Sequence, residues 1–395
     1  MNITRRNFLI GGAATLGALG FYACTKKTNT KNLRCALAYS SDNFSPVANK
    51  ETLSIVTNSY VYEGLYNLDH KTNRIYNGLA ALDPIKIDSN HYEIVLKDNL
   101  RFSNGEALTA QDCVNSFSSF KKDGVFKYML EPLYDINIKD NKTLIVSTIY
   151  DCGKILKDIL AVFCVYSKDN LGSGPYAYQN IDSSKIEFCP NTYYEGKFPP
   201  VYEHMTFHIE KSDTERAKML ISDNVDVIEN SQPDNIEKNG AKFESKESTS
   251  ATYVRFNTNK HSLDIRQAIL YSIDSQKIIN ECYFGKGSVA DSVLPKTHEA
   301  YRRAKRTYTY NVIEAKKLVP PNYKIKLSIV DGFPKAFYGI IEDNLADVGF
   351  SIEYDDTNPD VEIIMGDTGM YTNNASIMMS YWYGAAYASL KMASF

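Results

Sequence analysis

Six histidines and seven cysteines are the residues of this chain best suited to metal ligation or nucleophilic chemistry. None falls in a spacing that such chemistry needs. His204 and His208 share parity on a predicted strand, about 13 Å apart at four residues' rise, so one ion cannot take both from that strand. Behind Cys24 the cysteines stand at 35, 113, 152, 164, 189 and 282 without a CxxC pair, which argues against a zinc site. Cys152 and Cys164 are close enough in sequence for a disulfide. Cys113 falls on the apolar face of a predicted helix, the place of a buried thiol. There is no HExxH, GxSxG, P-loop or dinucleotide fingerprint, and GKGS at 285–288 lacks the preceding glycine of a P-loop. These residues point away from catalysis, and no cofactor or resident metal is implied.

The first residues carry a different chemistry. Arg5 and Arg6 precede an uncharged apolar run from Phe8 to Gly20. That run is shorter than the ~20 residues a spanning helix needs, so residues 1–23 read as an export signal. The stretch Thr4-Arg5-Arg6-Asn7-Phe8-Leu9 resembles a twin-arginine signal, with a general secretory signal as the alternative. Cys24, after Phe21-Tyr22-Ala23, resembles the lipidated cysteine of a bacterial lipobox, although Phe21 replaces the usual Leu and Tyr22 a small residue. The alternative is plain cleavage after Ala23. Residues 24–32 read as a flexible tether, and lipid at Cys24 would anchor the chain to a membrane it does not span.

The bulk of the chain suits a binding role. Roughly 370 residues follow the leader, enough for two or three domains, and 44% hydrophobic content supports a sizeable core. A net charge of -3 gives no footprint for nucleic acid. Tyrosine is over-used, with 29 Tyr against 1 Trp. Its apolar face and polar tip suit a ligand cleft, although compositional bias explains most of the excess.

The elements that position these residues are mixed α and β, without internal repeats. Alternation predicts strands at 33–38, 91–96, 185–189, 204–209 and 251–257. Helical spacing is visible at 54–65, after Thr109, at 213–222 and after Ser262. Thr109 and Asp112 form a capping-box pair, Asn104-Gly105 a hairpin turn, and Gly172, Gly174 and Pro175 a fixed loop between lobes. Asp226 bonds backbone at a strand start. A helix at about 311–319 stops at Pro320-Pro321, followed by strand 323–330, helix 335–347 and strand 350–354.

Several of these stretches, in their order, resemble the family 5 extracellular solute-binding proteins. Phe44-Ser45-Pro46 stands where that family has Leu-Asp-Pro. YEGLYNLD (62–69), LKDNLRFSNGEALTAQDCVNSF (96–117), GSGPY (172–176), DIRQAILYSID (264–274) and YNVIEAKKLV (310–319) are similar to its further motifs. The resemblance implies an α/β, two-lobed periplasmic-binding-protein-like fold of the class II type, with a satellite subdomain and a hinge that closes the lobes over ligand. It places lobe I at 33–66, 170–257 and 375–395, the satellite at 67–169, and lobe III at 258–374. It implies a non-catalytic, monomeric lipoprotein that hands a small peptide-like ligand to the permease subunits of an ABC importer. Nickel-chelate or haem binding, or a structural lipoprotein without ligand, are the alternatives.

The resemblance also carries the site residues. The loop after Leu-Asp-Pro corresponds to Lys50, Glu51 and Thr52, where backbone groups do most of the binding. Asn257, at a strand end, would donate to a ligand carbonyl or else stabilise the hinge. Trp382 would line the cleft or pack in lobe I. Peptide binders of the family hold the ligand's α-amine with the Asp of a Trp-x-x-Asp-Tyr segment. Here the text is MGDTGMYTN, without the Trp, and Asp367 is offset from the matching place. The chain is shorter than most of the family, with the loss after residues 349–353, so it reads as a trimmed member.

Overall fold

The computed structural model describes residues 20–24, 31–48, 52–69, 71–72, 74–229, 242–246, 250–292, 294, 296, 298, 300–305, 307–329, 333–367 and 374. It divides into two compact units, one running to Lys246 and the second over 247–368.

The first unit is built on a seven-stranded sheet. Its strands are β1 (Gly20–Cys24), β2 (Asn32–Leu37), β9 (Tyr176–Ile181), β10 (Lys185–Pro190), β11 (His204–Ile209), β12 (Val227–Glu229) and β13 (Lys242–Lys246), in the order β13-β1-β12-β2-β11-β10-β9. Strand β2 runs parallel to both β11 and β12. Its alternation feeds two layers. Leu33, Cys35 and Leu37 face helix α1 (Thr52–Val61) and an aromatic cluster in which Phe207 lies 5.1 Å from Phe188 and 5.8 Å from Tyr60. Ala36 faces the opposite way, against the apolar side of a helix that carries Ala217 and Leu220. Asp226 ties β12 to β2: its backbone N–H donates to the Arg34 carbonyl at 2.7 Å, and its carboxylate accepts from the Arg34 N–H at 2.9 Å.

Four antiparallel strands make a smaller sheet in the same unit: β5 (Ile85–Lys86), β6 (His91–Val95), β7 (Leu133–Asp140) and β8 (Thr143–Thr148), in the order β5-β6-β8-β7. A hairpin of β3 (Tyr66–Asp69) and β4 (Arg74–Asn77) precedes it. Helix α2 (Ala110–Asp123) packs on β7 and buries Cys113, Phe117 and Phe120. Its start is fixed as the sequence predicts, since the Asp112 carboxylate accepts from both the Thr109 N–H and its hydroxyl, each at 2.8 Å. Helix α3 (Leu156–Leu160) follows. It stands between Cys152 and Cys164, and both are free thiols. No disulfide joins them, because Cys164 is drawn into the core under α1 instead.

The glycine loop joins these parts. The Gly174 N–H donates to the Val61 carbonyl at 2.8 Å, and Ser103 N–H donates to Gly172 at 2.9 Å. A Cβ on Gly172 would lie 1.9 Å from the Val61 carbonyl oxygen. The loop therefore bonds the end of α1 to the turn at Asn104-Gly105 and sits inside the first unit, where the sequence reading placed it between lobes. In that turn Gly105 has φ +88°, a conformation few side chains adopt.

Helix α4 (Asp213–Ile221) covers the second face of the seven-stranded sheet, with Ser212 accepting at its N-cap. The second unit holds β14 (Ser250–Phe256), α5 (Leu263–Ser272), α6 (Ser275–Tyr283), α7 (Val312–Leu318), β15 (Tyr323–Ile329), α8 (Lys335–Asp347), β16 (Phe350–Tyr354) and β17 (Val361–Asp367). Its sheet order is β14-β17-β15-β16, with β15 parallel to both β16 and β17. Arg255 and Glu362 face each other across β14 and β17 as an ion pair. Among the described residues no helix is long and apolar enough to cross a membrane.

Candidate functional site

In open α/β sheets ligands meet the carboxyl ends of parallel strands. In the first unit those ends belong to β2, β11 and β12. Beyond β2 the chain turns through Asn43, whose side-chain oxygen accepts from the Ser45 N–H at 2.9 Å. Phe44 packs edge-on against Tyr178, 6.0 Å between centroids. The Tyr178 hydroxyl donates to Asn58 Oδ1 at 2.7 Å, and Asn58 Nδ2 donates to the Ser45 carbonyl at 3.5 Å. Strand β9, helix α1 and the Phe44-Ser45-Pro46 loop are thus held by one polar relay. Lys50 and Glu51 follow this loop and lie outside the described residues. Thr52 opens α1, and its side chain lies outside them too.

At the ends of β11 and β12 the sequence reading missed a buried arginine and a buried carboxyl that lies within reach of its charge. Arg216 on α4 is buried and donates to three main-chain carbonyls: Glu229 at 2.9 Å, Glu210 at 2.7 Å and Lys211 at 2.9 Å. Glu229, the last residue of β12, is equally buried, and its carboxylate has no hydrogen-bond partner among the described residues. Burial pushes its pKa up to about 8, against the pull of the Arg216 charge. The available signal was weak: an acidic residue ending an otherwise apolar strand, and one arginine on a helix that also carries lysines.

In the second unit Asn257 follows β14. Its N–H donates to the Asp360 carbonyl at 2.8 Å and its Oδ1 accepts from the Asn259 N–H at 3.1 Å. That side-chain oxygen closes the turn into α5. Asp367 ends β17, paired with Ser250, and its side chain lies outside the described residues. Trp382 lies wholly outside them. Cys24 ends β1, opposite Val227 and Lys242, and its side chain is likewise outside the described part. His204 and His208 share the face of β11 opposite Met205 and Phe207, which are buried. Burial moves the His208 pKa down. Among the described residues no three His, Cys, Asp or Glu side chains come together as a metal site.

A second buried carboxyl belongs to Glu63, just past α1. It accepts from the Tyr194 hydroxyl at 3.3 Å, and burial raises its pKa to about 7, opposed by the Lys97 charge. Both Glu63 and Glu229 bind protons more tightly folded than at their ordinary value of 4.5. Their contribution to stability is therefore complete below pH 4.5 and lost as pH rises through about 7 and 8. Thermal unfolding should show a midpoint that falls between about pH 5 and pH 9, and Glu63→Gln should flatten that slope. A slope unchanged by the substitution would show that Glu63 titrates normally.

The family model of the bacterial extracellular solute-binding proteins, family 5 middle, matches residues 74–322. The chain is similar to the nickel-binding protein NikA of Staphylococcus aureus, 28% identical over 267 residues, which cover 62% of this chain and 54% of that protein. The chain spans about half the length of the curated relatives it matches. Its fold is similar to that of Staphylococcus aureus NikA in complex with Ni(L-His)2, with TM-score 0.76 and 20% identity over 89% of this chain and 81% of that one. It is similar also to the dipeptide-binding protein of Pseudoalteromonas sp. SM9913 in complex with Met-Leu, with TM-score 0.78 and 17% identity over 89% and 82%. The likeness establishes the two-lobed α/β fold.

Proposed function

Because the chain belongs to the bacterial extracellular solute-binding proteins, family 5, whose members bind solutes and are not enzymes, we propose that it captures a peptide-like ligand and delivers it to an ABC importer. In this reading the first unit offers the ligand the loop after Phe44-Ser45-Pro46, and the second unit offers the end of β17. The observation that carries it is the relay from Tyr178 through Asn58 to Ser45. It fixes the main chain at Ser45, in the loop that precedes Lys50, Glu51 and Thr52 in the sequence, and main-chain groups are what an extended peptide reads. Asp367 would hold the α-amine, Asn257 a ligand carbonyl and Trp382 the cleft wall. The protein works as a monomer outside the cytoplasmic membrane, exported by the twin-arginine-like signal and held by lipid at Cys24; cleavage before Cys24 would remove Gly20–Ala23 of β1 from between β12 and β13 in the mature chain.

A second reading is a nickel chelate, favoured by the similarity to Staphylococcus aureus NikA. Thermal unfolding against a peptide library, nickel with L-histidine, and haem separates the two. A ligand at a hundredfold its dissociation constant adds about 2.7 kcal/mol. A shift with peptides supports the first reading, a shift with nickel and histidine alone supports the second, and no shift with any of the three overturns both. For the anchor, Cys24→Ala should release the protein from the membrane fraction. Continued membrane association of that variant would count against lipidation.

A further inference from the structure

A cleft of about 190 Å³ lies wholly within the first unit, away from the carboxyl ends of β2, β11 and β12. Five separate pieces of chain build it, one of them Gly78 and Leu79 after β4. Glu63 comes from the segment after α1, and Lys97 and Arg101 from the connection that follows β6. Ser173 stands between the two glycines of the joint, and Tyr194 and Glu195 come from the loop after β10. The backbone is held to this shape: Asn99 sits at φ 57°, and both glycines beside Ser173 press on the end of α1.

Two side chains here are buried without what burial normally requires. Ser173 is 4% exposed, and its hydroxyl has no hydrogen-bond partner among the described residues. Glu63 is 7% exposed, and the bond it accepts from Tyr194 is long, at 3.3 Å. No ion pair reaches Glu63 among those described. A buried carboxyl so placed is stabilised by an incoming cation, and a buried hydroxyl by an incoming acceptor or donor. The same cleft also offers positive charge. Lys97 donates to the Asn77 carbonyl at 3.3 Å and Arg101 to the Gly105 carbonyl at 2.7 Å. Those acceptors are neutral, although the Lys97 charge also bears on Glu63, and Asp98 and Glu195 line the same cleft.

We propose that this cleft is a second binding site, for a free α-amino acid or a zwitterion of similar size, held with its ammonium toward Glu63 and Ser173 and its carboxylate toward Lys97 and Arg101. Volume sets the class. The cleft is smaller than the ~300–1,000 Å³ of pockets that enclose drug-sized molecules, so a peptide of several residues does not fit. Opposite charges on its walls select a molecule that carries both, over a simple anion or a simple amine.

Isothermal titration of the full chain with L-alanine, acetate and methylammonium tests this. L-Alanine should bind saturably, and acetate and methylammonium much more weakly. Glu63→Gln and Lys97→Met should each weaken L-alanine about tenfold or more, since each removes a charged partner. Circular dichroism of both variants checks that they fold, and either folded variant suffices for the comparison. Absence of saturable L-alanine binding at millimolar concentration overturns the proposal. So does binding that neither variant weakens, which would place the amino acid elsewhere. The proposal does not depend on the ligand of the transport cycle: if peptides or nickel chelates fail to bind, the titration with L-alanine still stands on its own.

Discussion

Replacing Arg216 by alanine is expected to destabilise the first unit by about 3–5 kcal/mol, because it leaves three main-chain carbonyls without their buried donor. Two losses combine. The carbonyls of Glu210, Lys211 and Glu229 lose the guanidinium that satisfies them, and the Glu229 carboxylate loses the charge that offsets its burial. Because the Glu229 pKa already stands near 8, the carboxyl can take up a proton and relieve part of the second loss. The destabilisation of Arg216→Ala should therefore be smaller at about pH 6 than at about pH 9. Arg216→Lys is not a mild control, since one ammonium cannot reproduce a planar fork aimed at three carbonyls. Glu229→Gln in the alanine background should recover part of the loss at alkaline pH. Urea unfolding of the set measures this, and a single substitution that costs under about 1 kcal/mol would show that the buried guanidinium is dispensable.

Gly172→Ala is expected to cost about 2–4 kcal/mol. The reason is close approach and owes nothing to backbone conformation. The new Cβ would meet the Val61 carbonyl oxygen at 1.9 Å and the Val61 carbonyl carbon at 2.7 Å. Main chain must move to admit it, and the bond from Gly174 to Val61 moves with it. Gly339 supplies the contrast. It lies inside α8 with nothing within 4 Å of a Cβ built on it. Alanine there should stabilise the helix by up to about 1 kcal/mol. Urea unfolding of both variants gives the comparison. Equal and small effects would mean that the joint yields easily.

Some of this is legible in the sequence, and the reason is locality. The Thr109 and Asp112 pair, the Asn104-Gly105 turn and the parity of His204 and His208 each depend on residues at most four apart. Helix α8 and strand β16 fall where the periodicity puts them. Asp226 reaches back to Arg34 across the sheet, and it was legible only as an acidic residue at the start of a strand. Strand β7 escaped because its register shifts between Leu133 and Asp135 and again between Ile138 and Asp140, which breaks the alternation that marks a strand. Helix α6 escaped because it begins three residues after α5 ends, with only Asp274 to cap it. The cleft around Glu63 was out of reach altogether. Its walls come from Glu63, Lys97, Ser173 and Tyr194, and only the folded chain brings those four together.

The way the smaller sheet is attached has a bearing on how such a chain is assembled. The chain leaves the larger sheet just past Val61 and returns to it at the glycine joint. At that neck Glu63 forms an antiparallel bridge with Val165, and Gly174 bonds back to Val61. About a hundred residues thus leave and return through one neck with both ends side by side, the arrangement in which domain insertion is tolerated, and the loop after β10 clasps them through Lys197 on Asp69 and Phe198 on Tyr76. A short turn spliced across the bridge of Glu63 and Val165 would leave the order of the larger sheet untouched, because every strand of that sheet lies outside the excised stretch. A replacement for this stretch would have to keep those contacts, and the crossing of Gly172 over Val61 is the fixed part of the socket into which it has to fit.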